Sequence, residues 1–432
     1  MMLTTISAAF LALSLAGVPI ALALGAAATL YIVAVEGLPI DLIIRTMFYS
    51  LDSFAFLAIP LFMLMGAICD RSGLLDKLVR WLSLLVGWAR AGMAYVSILG
   101  NMIISGISGA AVADMASLGP IQMKLMRERG YPNEFAAALN ASSAVMGPII
   151  PPSIAMVIYA LSAGNISIGG LFVAGILPGV LLGVSLMALS WWKIRKLNVQ
   201  PIPLPATVSE FATSLLSSTI EVSPLLVLPL VLIGSIVTGI ATVTESAAIG
   251  VAYVLVVAVY QRRLSIREFA RCVIYSGVMT ASVGLLIACS QILGYILTRN
   301  QITAMLADFM IGLSSDPFVF IALTAVFAFV LGTVLEPNVL IVTLTPLLVP
   351  IADAYGINQF HFAMVFILTV EIGLITPPVG TLLFMAATFA KLPLDKLFRA
   401  IWPFVFVEMA VVVLVVIFPG LSTWLPEFFG FR

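Results

Sequence analysis

The chain has 432 residues, of which 62% are hydrophobic and only 9% are charged. Soluble domains carry about 25% charged residues, so the composition excludes an ordinary soluble protein and indicates an integral membrane protein. The 20 basic and 20 acidic residues balance, and without a net field the sequence predicts no nucleic-acid partner.

Apolar segments of near-membrane length run through the whole chain, which predicts an all-α, multi-pass protein in a lipid bilayer. The first two segments are short and are separated by AGVPIA, which leaves open whether they form one helix or two. The predicted crossings span about 3–17, 19–35, 54–69, 133–162, 168–192, 219–240, 243–260, 272–297, 359–389 and 400–422.

The stretch 71–91, RSGLLDKLVRWLSLLVGWARA, predicts an amphipathic helix. Such a helix lies on a membrane surface and braces moving parts. A plain solvated helix beside a crossing is an equally good interpretation, because basic residues are expected there in any case.

Two apolar stretches, 92–122 and 317–350, are interrupted by helix-breaking clusters. SGISGA interrupts the first at 105–110 and GTVLEPN interrupts the second at 332–338. Glycine, serine and proline clusters end helices, so both stretches predict re-entrant hairpins.

Basic residues in short loops stay on the cytoplasmic side. With the predicted crossings, all basic clusters fall on one side, so the first hairpin enters from the cytoplasm. The second hairpin has mostly acidic and amide flanks and is expected to enter from outside. The clusters lie at 71–90, 124–129, 193–196, 262–271 and 391–399.

A proline-containing motif occurs twice, as GPIIPPS and as GLITPPV. The copies stand 226 residues apart, which pairs Gly147 with Gly373 and the two Pro-Pro dipeptides with each other. We expect a first half at 1–192, a linker at 193–218 and a second half at 219–432, with the halves inverted. Each half then holds a hairpin and a proline-broken helix, at 133–162 and 359–389.

A proline inside a helix costs roughly 3 kcal/mol. A break at membrane depth is tolerated where it packs in protein or lines a water-filled site. Freed carbonyls are ligands for cations, and half-helix N-termini attract carboxylates. The two breaks therefore predict ion and substrate sites.

The segments SGISGAAVAD, PIIPPSI, LGTVLEPN and IGLITPPVG resemble the large membrane subunit of tripartite ATP-independent periplasmic (TRAP) transporters, the DctM-like family. LAIPLFMLMG and TVTESAA fit as well, and the resemblance covers essentially the whole chain. It implies an elevator-type transporter that imports an organic acid, such as a C4-dicarboxylate or sialic acid, with sodium across the bacterial inner (cytoplasmic) membrane. The implied partners are a separate small four-helix membrane subunit and a periplasmic substrate-binding protein.

The resemblance also implies two sodium sites made of hydroxyls and main-chain carbonyls, the oxygen ligands of hard cations. Sodium is the coupling ion, and no other metal or cofactor is expected. The residues of the first site are Ser105, Ser108, Gly147, Ile150 and Pro152, and those of the second are Gly332, Gly373, Thr376 and Val379.

Substrate is expected between the two hairpin tips, near Asn101, Asn140, Asn338 and Thr381. For each of these residues, capping or bridging helices is at least as good an interpretation.

Ionisable residues inside a membrane are functional candidates by default. Asp114 and Glu245 lie in family-like motifs and are read as helix caps or interface hydrogen bonders. Glu336 stands where the family often has aspartate, and a proton relay is an open alternative. Glu371 stands where many relatives carry an uncharged polar residue, and Glu408 lies in apolar surroundings.

A stand-alone sodium/dicarboxylate or citrate carrier of related inverted-repeat architecture remains the nearest alternative. A hydrolase is disfavoured because the sequence has no HExxH, no GxSxG and a single histidine, His361. An ATP-driven pump is disfavoured because GxxxxGK[ST] is missing. The sequence thus predicts a transporter and not an enzyme.

Overall fold

A computed structural model describes residues 2–164, 166–205 and 207–431. Within these residues the chain folds into twenty α-helices with two short 3-10 turns. Seven helices are long and apolar enough to cross a membrane, or eight if the bent pair Ile302–Gly312 and Pro317–Gly332 counts as one span. The predicted all-helical membrane protein is confirmed.

Five helices precede the first predicted hairpin. The bounds are α1 (Met2–Leu15), α2 (Ile20–Ala34), α3 (Ile40–Leu51), α4 (Ala58–Arg71) and α5 (Leu74–Val86). The apolar start therefore forms two helices, and Pro19 stands at the N-cap of the second, where its missing N–H costs nothing. The sequence did not predict α3. The amphipathic α5 buries one face, which packs against α6 (Gly92–Ser108) and α11 (Val208–Val237).

The predicted hairpin at 92–122 is two helices, α6 and α7 (Ala111–Glu128). Their antiparallel course follows from hydrogen bonds between Ser97 and Gln122 (2.8 Å) and between Ser105 and Asp114 (3.2 Å). The predicted crossing 133–162 is two helices, α8 (Asn133–Ala144) and α9 (Ile154–Ala163), joined by the non-helical residues 145–153. The long α10 (Ile168–Ile194) follows.

The predicted linker 193–218 is shorter than expected. Thr207 and Glu210 form a capping box that starts α11 at Val208, within that range. The next helices are α12 (Val243–Tyr260), α13 (Ile266–Arg299) and α14 (Ile302–Leu313). Another capping box, Ser265 with Glu268, starts α13 before the predicted residue 272.

The second hairpin consists of α15 (Pro317–Gly332) and α16 (Pro337–Ala354). Its two open ends meet, since the Tyr355 hydroxyl donates to the Ser314 carbonyl (2.8 Å) and the Tyr355 ring stacks on Phe320 (4.9 Å). The helix α16 is itself long and apolar enough to span a membrane. The remaining helices are α17 (Gln359–Ile372), α18 (Thr381–Ala390), α19 (Leu394–Ile417) and α20 (Gly420–Phe428).

The helices pack in two sets. In one, α13 packs against α2, α3 and α4, and α12 packs against α4 and α11. In the other, α6 to α10 and α15 to α20 interleave, because α9 packs on α16 while α18 packs on α7 and α8. Apolar side chains such as Leu230, Val256 and Ile274 cover the outer faces of the first set, as expected for helices that face lipid.

Candidate functional site

The tip of the first hairpin contacts the first helix break, and we call this pair the first tip–break unit (residues 105–114 and 145–153). The tip turns at Gly109, whose φ of +64° favours glycine. The Gly109 carbonyl accepts a hydrogen bond from Ile154 N (3.2 Å). A Cβ added at Gly109 would lie 2.7 Å from the Pro152 oxygen, so the close approach depends on glycine.

Asp114 lies at the centre of this unit. Its side chain is fully buried and accepts hydrogen bonds from the hydroxyls of Ser105 (3.2 Å) and Ser108. A Cβ added at Gly147 would lie 2.7 Å from Asp114 Oδ2. The predicted residues Ser105, Ser108 and Gly147 are thus brought together, around a carboxylate that the sequence had suggested only as a cap or interface group.

Ile150 and Pro152 lie in the same break. Ile150 N donates to the Met146 carbonyl (2.9 Å), and the Ile150 side chain lies against Gly179 of α10. Pro152 directs its carbonyl to the hairpin tip at Gly109. The Pro151–Pro152 peptide bond is cis, as is Pro377–Pro378 in the second break.

The second tip–break unit (residues 332–338 and 373–380) has an even closer backbone contact. A Cβ added at Gly373 would lie 2.2 Å from the Gly332 carbonyl carbon. Val379 N donates to the Thr333 carbonyl (3.3 Å), and the buried Thr376 hydroxyl donates to the Ile372 carbonyl (2.9 Å). All four predicted residues of the second site therefore lie at this junction.

A cavity of about 480 Å³ separates the two units, and α4 and α13 form its other walls. Its polar lining includes Ser108 and the candidate substrate residues Asn338 and Thr381. Glu336 also lines it and caps α16, since it accepts from Val339 N (3.2 Å) and from Asn338 Nδ2 (2.6 Å). The cavity therefore has polar groups from both hairpins.

Asn101 and Asn140 lie elsewhere, in a buried polar network among α6, α7 and α8. Asn101 Nδ2 donates to Ser143 Oγ (2.9 Å) and to the Ser97 carbonyl (3.0 Å). Asn140 Nδ2 donates to the Ala136 carbonyl (2.8 Å), and Asn140 Oδ1 accepts from Ser97 Oγ (3.1 Å). These two residues bridge helices, which is the structural alternative that the sequence left open.

The other candidate carboxylates have different surroundings. Glu245 forms a capping box with Thr242 at the start of α12, as a helix-capping interpretation predicts. Glu408 is fully buried on α19, and the Ser142 side chain of α8 lies beside its carboxylate. Glu371 is buried at the end of α17 and lines the cavity.

Sequence reasoning missed the network around Ser97 and Gln122 and the central position of Asp114. A polar residue within an apolar segment is a visible signal, but it does not reveal its partner. The spacing of Ser108 and Asp114 across a two-residue turn could have indicated their contact.

Residues 7–421 match the family model described as the tripartite ATP-independent periplasmic transporter, DctM component. The chain belongs to this family. The resemblance predicted from the tip and break motifs is confirmed, and DctM components are transport permeases and not enzymes.

Among characterised DctM relatives, the sialic acid TRAP transporter large permease protein SiaM of Vibrio cholerae is 33% identical over 421 residues, with 97% of both chains covered. The 2,3-diketo-L-gulonate TRAP transporter large permease protein YiaN of Escherichia coli is 34% identical over 406 residues, with 94% of each covered. Both matches run almost from end to end.

The fold of this DctM chain is also similar to that of the Alcanivorax borkumensis YdaH transporter. The TM-score is 0.61 at 15% identity, with 90% of each chain covered. At this identity the likeness supports the fold alone.

Proposed function

We propose that this chain imports an organic acid in symport with sodium across a bacterial inner membrane, as the large permease subunit of a TRAP transporter. The observation that carries the proposal is the convergence of two hairpin tips and two helix breaks around one cavity. The relatives support the substrate class, since sialic acid and 2,3-diketo-L-gulonate are both organic acids.

Two sodium ions would bind at the tip–break units. In the first, the Ser105 and Ser108 hydroxyls lie beside Asp114, and the non-helical segment 145–153 leaves carbonyls outside helical hydrogen bonding. In the second, Gly332 and Gly373 bring two backbones into contact beside Thr376. A small hard cation prefers this donor set of hydroxyl, carboxylate and carbonyl oxygens.

The hairpins would be re-entrant from opposite sides, in inverted halves at 1–192 and 219–432. The interleaved set of α6 to α10 and α15 to α20 would then move as an elevator past the set that contains α4 and α13. The packing in two sets supports this motion, because the cavity lies at their boundary. A small four-helix subunit would brace the scaffold, and a periplasmic binding protein would deliver substrate.

Uptake by proteoliposomes that contain this chain and its small subunit tests the proposal. We expect uptake to require both the binding protein and an inward sodium gradient. Ser108→Ala and Thr376→Val should each raise the sodium concentration for half-maximal uptake about tenfold, which equals about 1.4 kcal/mol of lost binding energy per site.

Gly234→Ala is a matched control, because a Cβ there meets nothing within 4 Å. Full uptake by the chain alone would support the stand-alone carrier instead. Uptake that is indifferent to sodium in the wild type would contradict sodium coupling.

A further inference from the structure

Glu371 has no role in the sodium sites described above. Its side chain is only 3% exposed, and it opens into the cavity between the two tip–break units. Within the described chain no hydrogen-bond donor reaches its carboxylate. A buried carboxylate without a partner is destabilising, so this position calls for a positively charged ligand.

The other charged residues of the cavity wall also support a positively charged ligand at Glu371. The charged residues among its described lining are Asp70, Arg71, Glu336 and Glu371. Asp70 and Arg71 are exposed neighbours at the end of α4, and Glu336 is engaged as the cap of α16. Glu371 is therefore the buried carboxylate on this wall that no described hydrogen-bond donor reaches, and the like charge of Glu336 lies near it.

The N-termini of two helices lie on another part of the cavity wall. Ile154 and Thr381, the first residues of α9 and α18, both line the cavity. Helix N-termini carry partial positive charge and favour an acid group. The wall thus carries helix dipole ends, which favour an acid group, and the Glu371 carboxylate, which repels one.

We propose that the transported organic acid also carries a positively charged nitrogen, and that the Glu371 carboxylate receives this nitrogen. The inference rests on the proposed function. Asp114 in the first sodium site and Glu336 and Glu371 on the cavity wall give three carboxylates for two sodium ions, so a zwitterion leaves the loaded site with a single net negative charge. A simple dicarboxylate would add two uncompensated negative charges in a low-dielectric setting.

Pairs of compounds that differ in the nitrogen test the proposal. We suggest L-aspartate against succinate, and 2-aminoethanesulfonate against 2-hydroxyethanesulfonate, as ligands of the full chain purified with its small subunit in sodium chloride. Ligand-dependent thermal stabilisation measures affinity without the binding protein. In at least one pair the nitrogen-bearing member should bind about tenfold more tightly, as expected for one charge-assisted contact.

Glu371→Gln should abolish that preference and leave the sodium dependence of stabilisation unchanged, whereas Glu371→Asp should retain part of it. Equal binding within every pair, tighter binding of the nitrogen-free members, or no binding of any member by the wild type would overturn the inference without any variant. If Glu371→Gln keeps the preference and raises the sodium requirement, Glu371 serves a cation site and the inference is wrong. Failure of the proposed function is distinguishable, because it appears as wild-type binding and uptake that ignore sodium.

Discussion

The two tip–break units share one backbone plan but place their carboxylates differently. In the first unit, Asp114 comes from the hairpin, is fully buried and is held by two serine hydroxyls. In the second, Glu336 comes from the hairpin and accepts from Val339 N and Asn338 Nδ2. Glu371, two residues before the break, lines the cavity, and no donor within the described chain reaches it. An internal repeat can therefore preserve the geometry of a break while assigning different electrostatic tasks to the two copies.

The backbone contacts differ as well. A Cβ at Gly373 would meet the Gly332 carbonyl carbon at 2.2 Å, whereas a Cβ at Gly147 would meet Asp114 Oδ2 at 2.7 Å and the backbone of Ala110 and Ala111 at 2.9 Å. Both glycines face backbone, and the backbone contact at Gly373 is the closer one. The second unit should thus tolerate less change at its glycine than the first.

The largest expected effect follows from this contact. Gly373→Ala should destabilise the protein by about 3 kcal/mol, the upper range for overpacking, and should abolish uptake. Gly147→Ala should cost less, because the nearest backbone atoms lie at 2.9 Å from its Cβ and not at 2.2 Å. Thermal unfolding in detergent and uptake measure both.

Gly277→Ala serves as the control for this pair, since a Cβ there meets nothing within 4 Å. Alanine favours a helix over glycine by about 1 kcal/mol, so this variant should be at least as stable as the wild type. Equal losses at Gly147 and Gly373 would show that the two units are equally rigid.

An intermediate effect is expected from Asp114→Asn. The amide keeps the size of the side chain but removes a charge from the first unit, so half-maximal uptake should need about tenfold more sodium. Substrate preference should not change, in contrast to Glu371→Gln. Sodium titrations at fixed substrate concentration check this expectation. An altered substrate preference in Asp114→Asn would show that Asp114 and Glu371 do not have separate roles.

The smallest effect is expected from Asn338→Ala, which removes the 2.6 Å hydrogen bond to Glu336 at the cavity wall. A hydrogen bond contributes about 1 kcal/mol net. Because Asn338 lines the cavity, its removal should lower substrate affinity severalfold and change stability little. Asn101→Ala is the counterpart, since it removes a member of the buried network. It should lower the unfolding temperature and leave substrate affinity intact, and the reverse pattern would restore Asn101 as a substrate residue.

The positions of the hairpins and breaks were predictable because their causes are local. Glycine at the tip and prolines in the break limit the backbone wherever the segment packs. The correspondence of Gly147 and Gly373 between the two repeats could be predicted for the same reason.

Other features were not predictable because they depend on tertiary partners. The helix α3 escaped prediction since it is short and carries the exposed pair Asp41 and Arg45 (2.8 Å), unlike a crossing. Asn101 and Asn338 look alike in sequence, yet one bridges helices and the other lines the cavity. Only the packing of the hairpins separates the two.

The interleaving of the halves has a consequence for biogenesis. The helix α8 packs against α18 and α19, and α9 packs on α16, so helices made early in translation wait for partners made near its end. Until those partners emerge, the face of α8 that is buried against α18 and α19 has nothing from the second half to cover it. A ribosome that stalls before α18 would leave a nascent chain that insertion chaperones must shield and membrane proteases recognise.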